Sequence, residues 1–326
     1  MDTRKIKIEN ECYEIASNCD IAIYVDGICN ADCRFCIAQM RYGNRSDMFK
    51  KPRIIDKAKY VKRTDELLAL LKPLDLSVSL TGGEPTQSER LIDIVALLAK
   101  HNVRRRSIST NGSGLLHKLK GGQRCIDVLL DGGVNIFNIS RQHHDEEKNN
   151  YLMNYLYEPC TNDMLQDIIQ YVVSHGAVVR MSGSVMKGGV DNVDELMGYI
   201  EFYEKMGCKD YRFRELMKYA DGSTINEQKM AFCQEHHVPM QQILNQINSV
   251  SAFKNISKTV DTAIYTYRAF EYLNSTLLVQ VENKEQEIQS QKNNDHILCG
   301  LIIHQNGDLA TSWADATKIL SRYEER

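Results

Sequence analysis

The sequence predicts an α/β protein built on a partial (βα)6 barrel with a C-terminal α+β extension. Three observations support this fold class. Short apolar runs alternate with amphipathic segments from about residue 20 to 217, alternate positions along these runs are polar, and the alternation stops after residue 217. Strands that alternate with helices favour a parallel sheet joined by right-handed crossovers.

Six strands are predicted in this region, and six strand–helix units make an incomplete version of the eight-stranded barrel. The predicted strands are Ile21–Asp26, Leu76–Gly82, Arg105–Asn111, Val134–Arg141, Val178–Met186 and Tyr211–Met217. Amphipathic helical patterns lie between them, at about 57–72, 88–101, 115–130, 162–175 and 193–206.

Polar residues occupy one face of five of these strands. They are Ser77, Ser79, Thr81, Ser107, Ser109, Asn111, Asn138, Ser140, Arg180, Ser182, Ser184, Arg212 and Arg214. Successive side chains of a strand point to opposite faces, and parallel sheets rarely leave a face bare. The pattern therefore favours a barrel whose hydrophilic interior holds a polar ligand. An ordinary sheet with one face in solvent is the alternative.

We expect three regions: an N-terminal extension (1–19), the barrel (20–220) and an extension that covers the barrel (221–326). Within the last region, Glu227 to Ile247 has a helical pattern. Two β-hairpins are also predicted there. They are Ala263–Tyr272 with Leu277–Val281, and Ile297–His304 with Asp308–Trp313.

Composition narrows the class of protein. A formal net charge of −3 argues against a nucleic-acid-binding protein that relies on a global positive field. No apolar stretch approaches the roughly 20 residues that span a bilayer, and residues 1–10 lack the apolar segment of a signal peptide. We therefore expect a cytoplasmic protein, in which the ten cysteines are thiols or metal ligands rather than disulfides.

Cys29, Cys33 and Cys36 form a C-x-x-x-C-x-x-C motif just after the first predicted strand. Three such thiolates can bind three irons of a 4Fe–4S cluster and leave the fourth iron open to a small molecule. A zinc site usually has four protein ligands, and no second cysteine pair lies nearby. A redox thiol needs only one or two cysteines. Phe35 lies between the last two cysteines, where its ring could pack beside a planar base held at the cluster.

A second motif, Gly82-Gly83-Glu84, ends the second predicted strand. Paired glycines let the backbone approach a ligand closely. Exposed backbone groups and Glu84 at the end of the strand could bind an ammonium group. Alone, a Gly-Gly sequence after a strand is usually only a turn.

Together the two motifs resemble the radical S-adenosylmethionine (SAM) superfamily, over roughly residues 20–217. The resemblance implies a 4Fe–4S cluster on Cys29, Cys33 and Cys36, with the amine and carboxylate of SAM on the open iron. It also implies that Gly82, Gly83 and Glu84 hold the methionyl amine.

Other segments are similar to the branch that contains the GTP cyclase of molybdenum-cofactor biosynthesis. They are Ser109-Thr110-Asn111-Gly112, Asn138-Ile139-Ser140, Val185-Met186-Lys187-Gly188 and Arg212-Phe213-Arg214-Glu215-Leu216-Met217. This similarity implies cofactor contacts from Ser109, Asn111 and Ser140 to the ribose and methionyl part. It implies that Arg180 or Ser182 reaches the carboxylate.

The chain departs from that branch in its C-terminal region. The cyclase carries a second cluster on three cysteines and a Gly-Gly terminus. The matching region here offers Cys299 alone, and the sequence ends Tyr323-Glu324-Glu325-Arg326. We therefore expect one cluster and a substrate other than GTP.

Four further residues are candidates for substrate chemistry. His143 and His144 follow the fourth predicted strand and could move protons, although a solvent-exposed polar loop is the alternative. Arg212 and Arg214 could bind a carboxylate or phosphate, or instead bridge strand ends.

The resemblance implies an enzyme that cleaves SAM reductively to a 5′-deoxyadenosyl radical, with electrons from a donor such as flavodoxin or ferredoxin. The radical would take a hydrogen atom from a small polar substrate, a nucleotide or natural-product precursor, for cyclisation or rearrangement. One alternative is modification or epimerisation of a peptide, with Cys299, Cys160 or Cys208 donating a hydrogen atom. Another is a non-catalytic iron–sulfur protein.

Overall fold

The computed structural model describes residues 2–42, 53–217, 226–261, 265–283, 297–313 and 316–324. The helices are α1 (Ile37–Tyr42), α2 (Lys57–Leu70), α3 (Leu91–Lys100), α4 (Cys125–Asp131), α5 (Glu146–Met153), α6 (Asn162–Ser174), α7 (Val193–Lys205), α8 (Glu227–His236) and α9 (Met240–Ser249). The strands are β1 (Thr3–Ile8), β2 (Glu11–Tyr24), β3 (Ser77–Thr81), β4 (Arg105–Thr110), β5 (Ile136–Ser140), β6 (Val178–Val185), β7 (Asp210–Glu215), β8 (Lys254–Asp261), β9 (Tyr265–Tyr272), β10 (Ser275–Asn283), β11 (Ile297–Ile303), β12 (Leu309–Ala310) and β13 (Ile319–Ser321).

The six predicted barrel strands are β2 to β7, and they lie side by side in chain order, all parallel. Helices connect them, as the alternating pattern predicted, so the α/β class is confirmed. Within the described residues β10 and β11 do not pair with each other, and the sheet is a partial barrel there.

Two strands of the C-terminal region join the parallel sheet itself. β11 pairs in parallel with β2 at one end, and β10 pairs in parallel with β7 at the other. The C-terminal region therefore builds both flanks of the parallel sheet. The predicted boundary at residue 220 lies outside the described residues, and the division into three regions stays a prediction.

The first barrel strand begins earlier than the apolar run at Ile21 indicates. β2 starts at Glu11, and its first half pairs antiparallel with β1. In β1, Ile6 and Ile8 are buried while Lys5 and Lys7 are exposed, which is the two-residue period of a half-buried strand.

The apolar face of the barrel strands packs under the helices. Its residues are Val78, Leu80, Ile108, Phe137, Ile139, Val179, Met181 and Phe213, and all are buried. Helices α2, α3, α4, α6 and α7 cover them with a second apolar layer, including Leu68, Ile94, Ile126, Ile168 and Ile200. Each such aliphatic side chain contributes about 1.5–3 kcal/mol on burial, so this layer holds the polar face in place.

Both predicted C-terminal hairpins are present. β9 pairs antiparallel with β10, and β11 with β12, although residues 263 and 264 of the first lie outside the described ranges. Trp313 follows β12 and packs edge-on against His304 (ring centroids 5.7 Å apart) and Tyr24 of β2 (6.3 Å). None of the helices in the described ranges has the length and apolarity needed to cross a membrane.

His304 gives this hairpin a pH dependence. Burial lowers the pKa of His304 to about 4, whereas an unfolded histidine titrates near 6.5. As the pH falls, His304 is therefore protonated in the unfolded chain before it is protonated in the folded protein. The free energy of unfolding is unaffected by this group above pH ~6.5 and decreases as the pH drops toward ~4. We expect the free energy of unfolding to fall by about 2 kcal/mol between pH 7 and 5 from this group.

Thermal melts at pH 7 and pH 5 check this expectation. His304→Gln should show a smaller drop in melting temperature than the wild type. His175→Gln, at an exposed histidine after α6, should keep the wild-type drop. An equal drop in His304→Gln and wild type would contradict the assignment.

Candidate active site

A cavity of about 710 Å³ lies where the parallel strands end. Strands β2 to β7 and β10 each contribute to its wall. The lining residues that the strand pattern assigned to the interior are Thr81, Ser109, Asn111, Ser140, Ser182, Ser184 and Arg214. The carboxyl ends of parallel strands meet at one edge, which brings residues far apart in the sequence into one site.

The cysteine loop (residues 29–36) forms one side of this cavity, and all three of its cysteines line it. The end of α5 and the segment that follows it hold the loop through their backbone. The amide of Asp32 donates to the carbonyl of Asn154 (2.9 Å), and that of Arg34 donates to the carbonyl of Leu152 (3.1 Å). The side chain of Asn30 donates to two further carbonyls of this segment, at 3.1 Å each. The loop is therefore fixed before any ligand binds.

The spacing of the thiols fits a multi-iron cluster better than a single ion. A tetrahedral zinc ion binds thiolates at about 2.3 Å, which places the sulfurs about 3.8 Å apart. The sulfurs of Cys29, Cys33 and Cys36 do not all lie within 4.8 Å of one another. A 4Fe–4S cluster holds its cysteines on separate irons, so the residues present fit that group.

Burial raises the pKa of all three thiols, that of Cys29 to about 11. The site is therefore unsuited to free thiolates at neutral pH. Bound iron would supply the positive charge that favours loss of these protons, so cluster binding would be coupled to proton release.

The Gly-Gly turn (Gly82–Glu84) packs directly on residues 26–28, which lead into the cysteine loop. The amide of Gly83 donates to the carbonyl of Asp26 (2.8 Å), and that of Glu84 donates to the carbonyl of Ile28 (2.7 Å). A Cβ on Gly82 would lie 2.4 Å from the Asp26 oxygen, and one on Gly83 would lie 2.2 Å from the Ile28 oxygen. Gly82 also has φ +150°, which non-glycine residues rarely adopt. The glycines are required here for contact between the two motifs.

Glu84 is buried, and its carboxylate accepts four hydrogen bonds from the protein. The donors are the amide and hydroxyl of Thr86 (3.1 and 2.6 Å), the hydroxyl of Thr110 (2.6 Å) and the amide of Asn111 (2.6 Å). Burial raises the pKa of Glu84, and these hydrogen bonds oppose the shift. The side chain ties the Gly-Gly turn to the end of β4. Its role toward the methionyl amine stays a prediction.

Asp26 anchors the chain just before the cysteine loop. Its carboxylate accepts from the amide of Gly27 (2.7 Å), from Arg53 (2.7 Å) and from the hydroxyl of Ser88 (3.2 Å). Buried Arg90 lies 3.6 Å from the same carboxylate. This network joins the loop to the residues that follow the Gly-Gly turn.

The structure brings most of the predicted cofactor-binding residues to the cavity. Phe35, Gly82, Gly83, Glu84, Ser109, Asn111, Ser140 and Ser182 all line it. The side chain of Asn111 donates to Asn30 Oδ1 (2.8 Å), so it also supports the cysteine loop. Their roles toward SAM stay predictions.

Arg180 does not line the cavity. It forms a bidentate pair with Asp210, at 2.8 and 2.9 Å, near the opposite ends of the strands. The carboxylate that Arg180 binds in this structure is therefore that of Asp210, whereas the sequence predicted the carboxylate of SAM.

The other two predicted arginines pack against Tyr267 of β9. Arg214 lines the cavity and donates from Nε to the tyrosine hydroxyl (2.9 Å). Arg212 lies deeper, with its guanidinium 4.9 Å from the ring centroid and a buried Nε that has no hydrogen-bond partner in the described structure. Burial and the charges of Arg180 and Arg214 lower the pKa of Arg212 to about 10.

His143 and His144 are not part of the cavity wall. His143 Nδ1 accepts from the amide of Asp145 (2.8 Å), so the ring proton sits on Nε2, which donates to Glu195 of α7 (2.8 Å). The two histidine rings stack, with centroids 4.4 Å apart. His143, His144 and Glu195 each place a possible metal-ligand atom within 4.8 Å of the other two. The hydrogen bond from His143 Nε2 to Glu195 accounts for this cluster without a metal, because a nitrogen that carries a proton cannot bind one. A role in proton transfer stays a prediction that this geometry does not support.

None of the three thiols considered as hydrogen-atom donors lines the cavity. Cys160 and Cys208 are buried in the apolar core, and Cys299 lies on β11. Their predicted role therefore has no geometric support in the described structure.

Two glutamines of the cavity were missed in the sequence. The amide of Ser184 donates to Gln142 Oε1 (2.8 Å), and that of Glu215 donates to Gln280 Oε1 (3.3 Å). A backbone N–H can only donate, so each side-chain oxygen is fixed and each NH2 group turns away from it. Gln280 could have been found in the sequence, because it is a polar residue within an otherwise apolar strand pattern.

Glu215 also lines the cavity, but its carboxylate is engaged by the C-terminal region. It lies 2.7 Å from His237 Nε2 and accepts from the amide of Met240 (2.8 Å). The end of β7 is thereby joined to the segment between α8 and α9.

Comparisons with known proteins agree with this geometry. The Radical SAM superfamily profile matches residues 23–203, and the chain therefore belongs to that superfamily. It is 26% identical over 201 residues to the GTP 3′,8-cyclase of Aquifex aeolicus. The aligned residues make up 61% of this chain and 56% of that enzyme. The match thus spans just over half of that relative's length.

A probable GTP 3′,8-cyclase of Saccharolobus islandicus is 27% identical over 248 residues, covering 73% of this chain and 68% of that protein. Among solved structures, native anSMEcpe with bound AdoMet has a TM-score of 0.51 at 13% identity, covering 93% of this chain and 77% of that one. That likeness concerns the fold alone.

Proposed function

We propose that this protein is an enzyme that binds one 4Fe–4S cluster on Cys29, Cys33 and Cys36 and uses SAM to start radical chemistry on a small polar substrate. The observation that carries the proposal is the convergence of the three thiols, the Gly-Gly turn and the polar strand ends on one cavity. When bound, the cluster and SAM supply one-electron cleavage of a carbon–sulfur bond, with the electron coming from an external donor such as flavodoxin or ferredoxin.

The protein's own contribution is position and a shielded site. The Gly-Gly turn is held by backbone hydrogen bonds to Asp26 and Ile28, just before the cysteine loop, so the cofactor end of the cavity is preformed. Ser109, Ser140 and Ser182 offer hydroxyls along the floor, where they would orient the ribose and methionyl groups of SAM. The cavity of about 710 Å³ has room for polar groups beyond these.

The far end of the cavity is rich in hydrogen-bond donors. Arg214 supplies the cation, and the NH2 groups of Gln142 and Gln280 are directed by their fixed oxygens. The lining carboxylates, Glu84 and Glu215, are occupied by protein donors. These groups support a substrate with a carboxylate, phosphate or several carbonyl oxygens.

A direct assay tests the proposal. The chain is reconstituted anaerobically with iron and sulfide, reduced with dithionite and incubated with SAM. We expect about four irons per chain and formation of 5′-deoxyadenosine. An intact cluster that forms no 5′-deoxyadenosine would contradict the proposal and favour a non-catalytic iron–sulfur protein. About eight irons per chain would refute the single cluster.

Arg214 allows a test of the substrate class. We expect the substrate, supplied as a fraction of cell extract, to bind an anion-exchange resin and to stimulate 5′-deoxyadenosine formation. Arg214→Leu should lose most of this stimulation, at least about tenfold, because a hydrogen-bonded charge pair contributes roughly 1.5–3 kcal/mol. SAM cleavage without substrate should stay near the wild-type rate. Stimulation found only in the unbound, neutral fraction would contradict the assignment.

A further inference from the structure

Lys229 of α8 is a buried cation that contacts the cysteine loop. It lies outside residues 23–203, where the family match ends. Its ammonium lies 2.9 Å from Asp32 Oδ1 and 3.3 Å from the carbonyl oxygen of the same residue. It also donates to the carbonyl oxygen of Cys33. Only 9% of its side chain is exposed.

This arrangement uses all the donor capacity of one lysine on one loop. An ammonium group has three N–H donors, and three acceptors of the loop receive them. Two of these acceptors are backbone carbonyls between the first and last cysteines. A buried charge is costly unless it is paired and hydrogen-bonded, so the lysine is held where it is by the loop itself.

The surroundings of Lys229 explain why it serves the loop rather than the cavity. It is not among the residues that line the cavity. On the same helix Cys233 packs with Met40 and Leu152 in an apolar cluster that Phe35 also contacts. Water therefore screens the ammonium only weakly from the thiols.

We propose that Lys229 is a positioning residue that holds the cysteine loop and, through its charge, favours the reduced cluster. Reduction adds one negative charge to a group already bound by three thiolates, and a fixed cation nearby stabilises that state. Asp32 offsets part of this charge. Its side chain is 43% exposed, however, so water screens it more than the buried ammonium.

The inference rests on the cluster of the proposed function, but its test needs neither substrate nor SAM. Wild type, Lys229→Met and Lys229→Arg are reconstituted, their iron is counted, and the cluster is titrated with dithionite while the reduced signal is followed by electron paramagnetic resonance. Lys100→Met, at an exposed lysine paired with Asp65, is the matched control.

At a fixed potential we expect the ratio of reduced to oxidised cluster to be about tenfold lower in Lys229→Met, equivalent to a midpoint about 59 mV more negative. Lys229→Arg and Lys100→Met should stay near the wild type. If Lys229→Met binds too little iron to titrate while Lys229→Arg binds the full complement, the cation is required to hold the loop, which also supports the inference.

Two results would overturn it. One is a Lys229→Met protein with the wild-type iron content and midpoint. The other is a Lys229→Arg protein as impaired as Lys229→Met, because charge would then not be the cause. A wild type that takes up no iron would instead defeat the proposed function, so the two failures are distinguishable.

Discussion

Replacing Cys33 by alanine is expected to abolish iron uptake and 5′-deoxyadenosine formation. Cys33 lies in the middle of the motif, and the residues on both sides of it are hydrogen-bonded to the end of α5 and the residue that follows it. With two thiolates left, the loop cannot hold three irons. Loss of a supporting contact alone typically costs 10–100-fold in metal affinity, so loss of a ligand should cost at least about 100-fold.

Iron per chain after anaerobic reconstitution is the measurement, with 5′-deoxyadenosine as the second readout. Cys12→Ala is the matched control, since this exposed cysteine on β2 lies outside the motif. A Cys33→Ala chain that keeps four irons would show that the cluster is bound elsewhere.

Gly83→Ala is expected to have the second-largest effect, on both folding and iron binding. The new Cβ would lie 2.2 Å from the carbonyl oxygen of Ile28 and 2.8 Å from that of Gly27. Both neighbours are backbone atoms of the segment that leads into the cysteine loop, so neither can rotate away. Overpacking of this kind costs about 1–3 kcal/mol, and here the strain falls on the loop that carries the cysteines.

Thermal melts of the apoprotein and iron content of the reconstituted protein measure the two effects. Gly121→Ala is the control, because a Cβ there meets nothing within 4 Å and the backbone has no positive φ. We expect a lower melting temperature and reduced iron uptake for Gly83→Ala only. Equal behaviour of the two variants would show that the turn can separate from the cysteine loop at no cost.

The strand pattern predicted the cavity because the geometry of a parallel barrel largely determines where the lining side chains lie. Once β3 to β7 are parallel and in chain order, Ser109, Ser140 and Ser182 must end at the same edge. The local motif at Gly82 and Gly83 was likewise visible, although its packing against Asp26 and Ile28 was not.

Other parts depended on contacts between distant segments. His143 was placed at the rim because it follows a strand, yet its partner is Glu195 on α7, and nothing local reveals that pair. Arg180 had the interior parity but finds Asp210 at the other end of the strands. Lys229 reaches the cysteine loop from a helix with no family motif.

The flanking strands β10 and β11 have a consequence for how the chain can be shortened. Removing everything after residue 217 would keep the segment matched to the family. It would also remove the outer partner of β7 and the outer partner of β2, so that both would become edge strands of the parallel sheet. The exposed N–H and C=O groups of such an edge are templates for aggregation. We therefore expect the smallest stably folded unit of this protein to be larger than its family segment, because the C-terminal strands complete the hydrogen bonding of the sheet that carries the site.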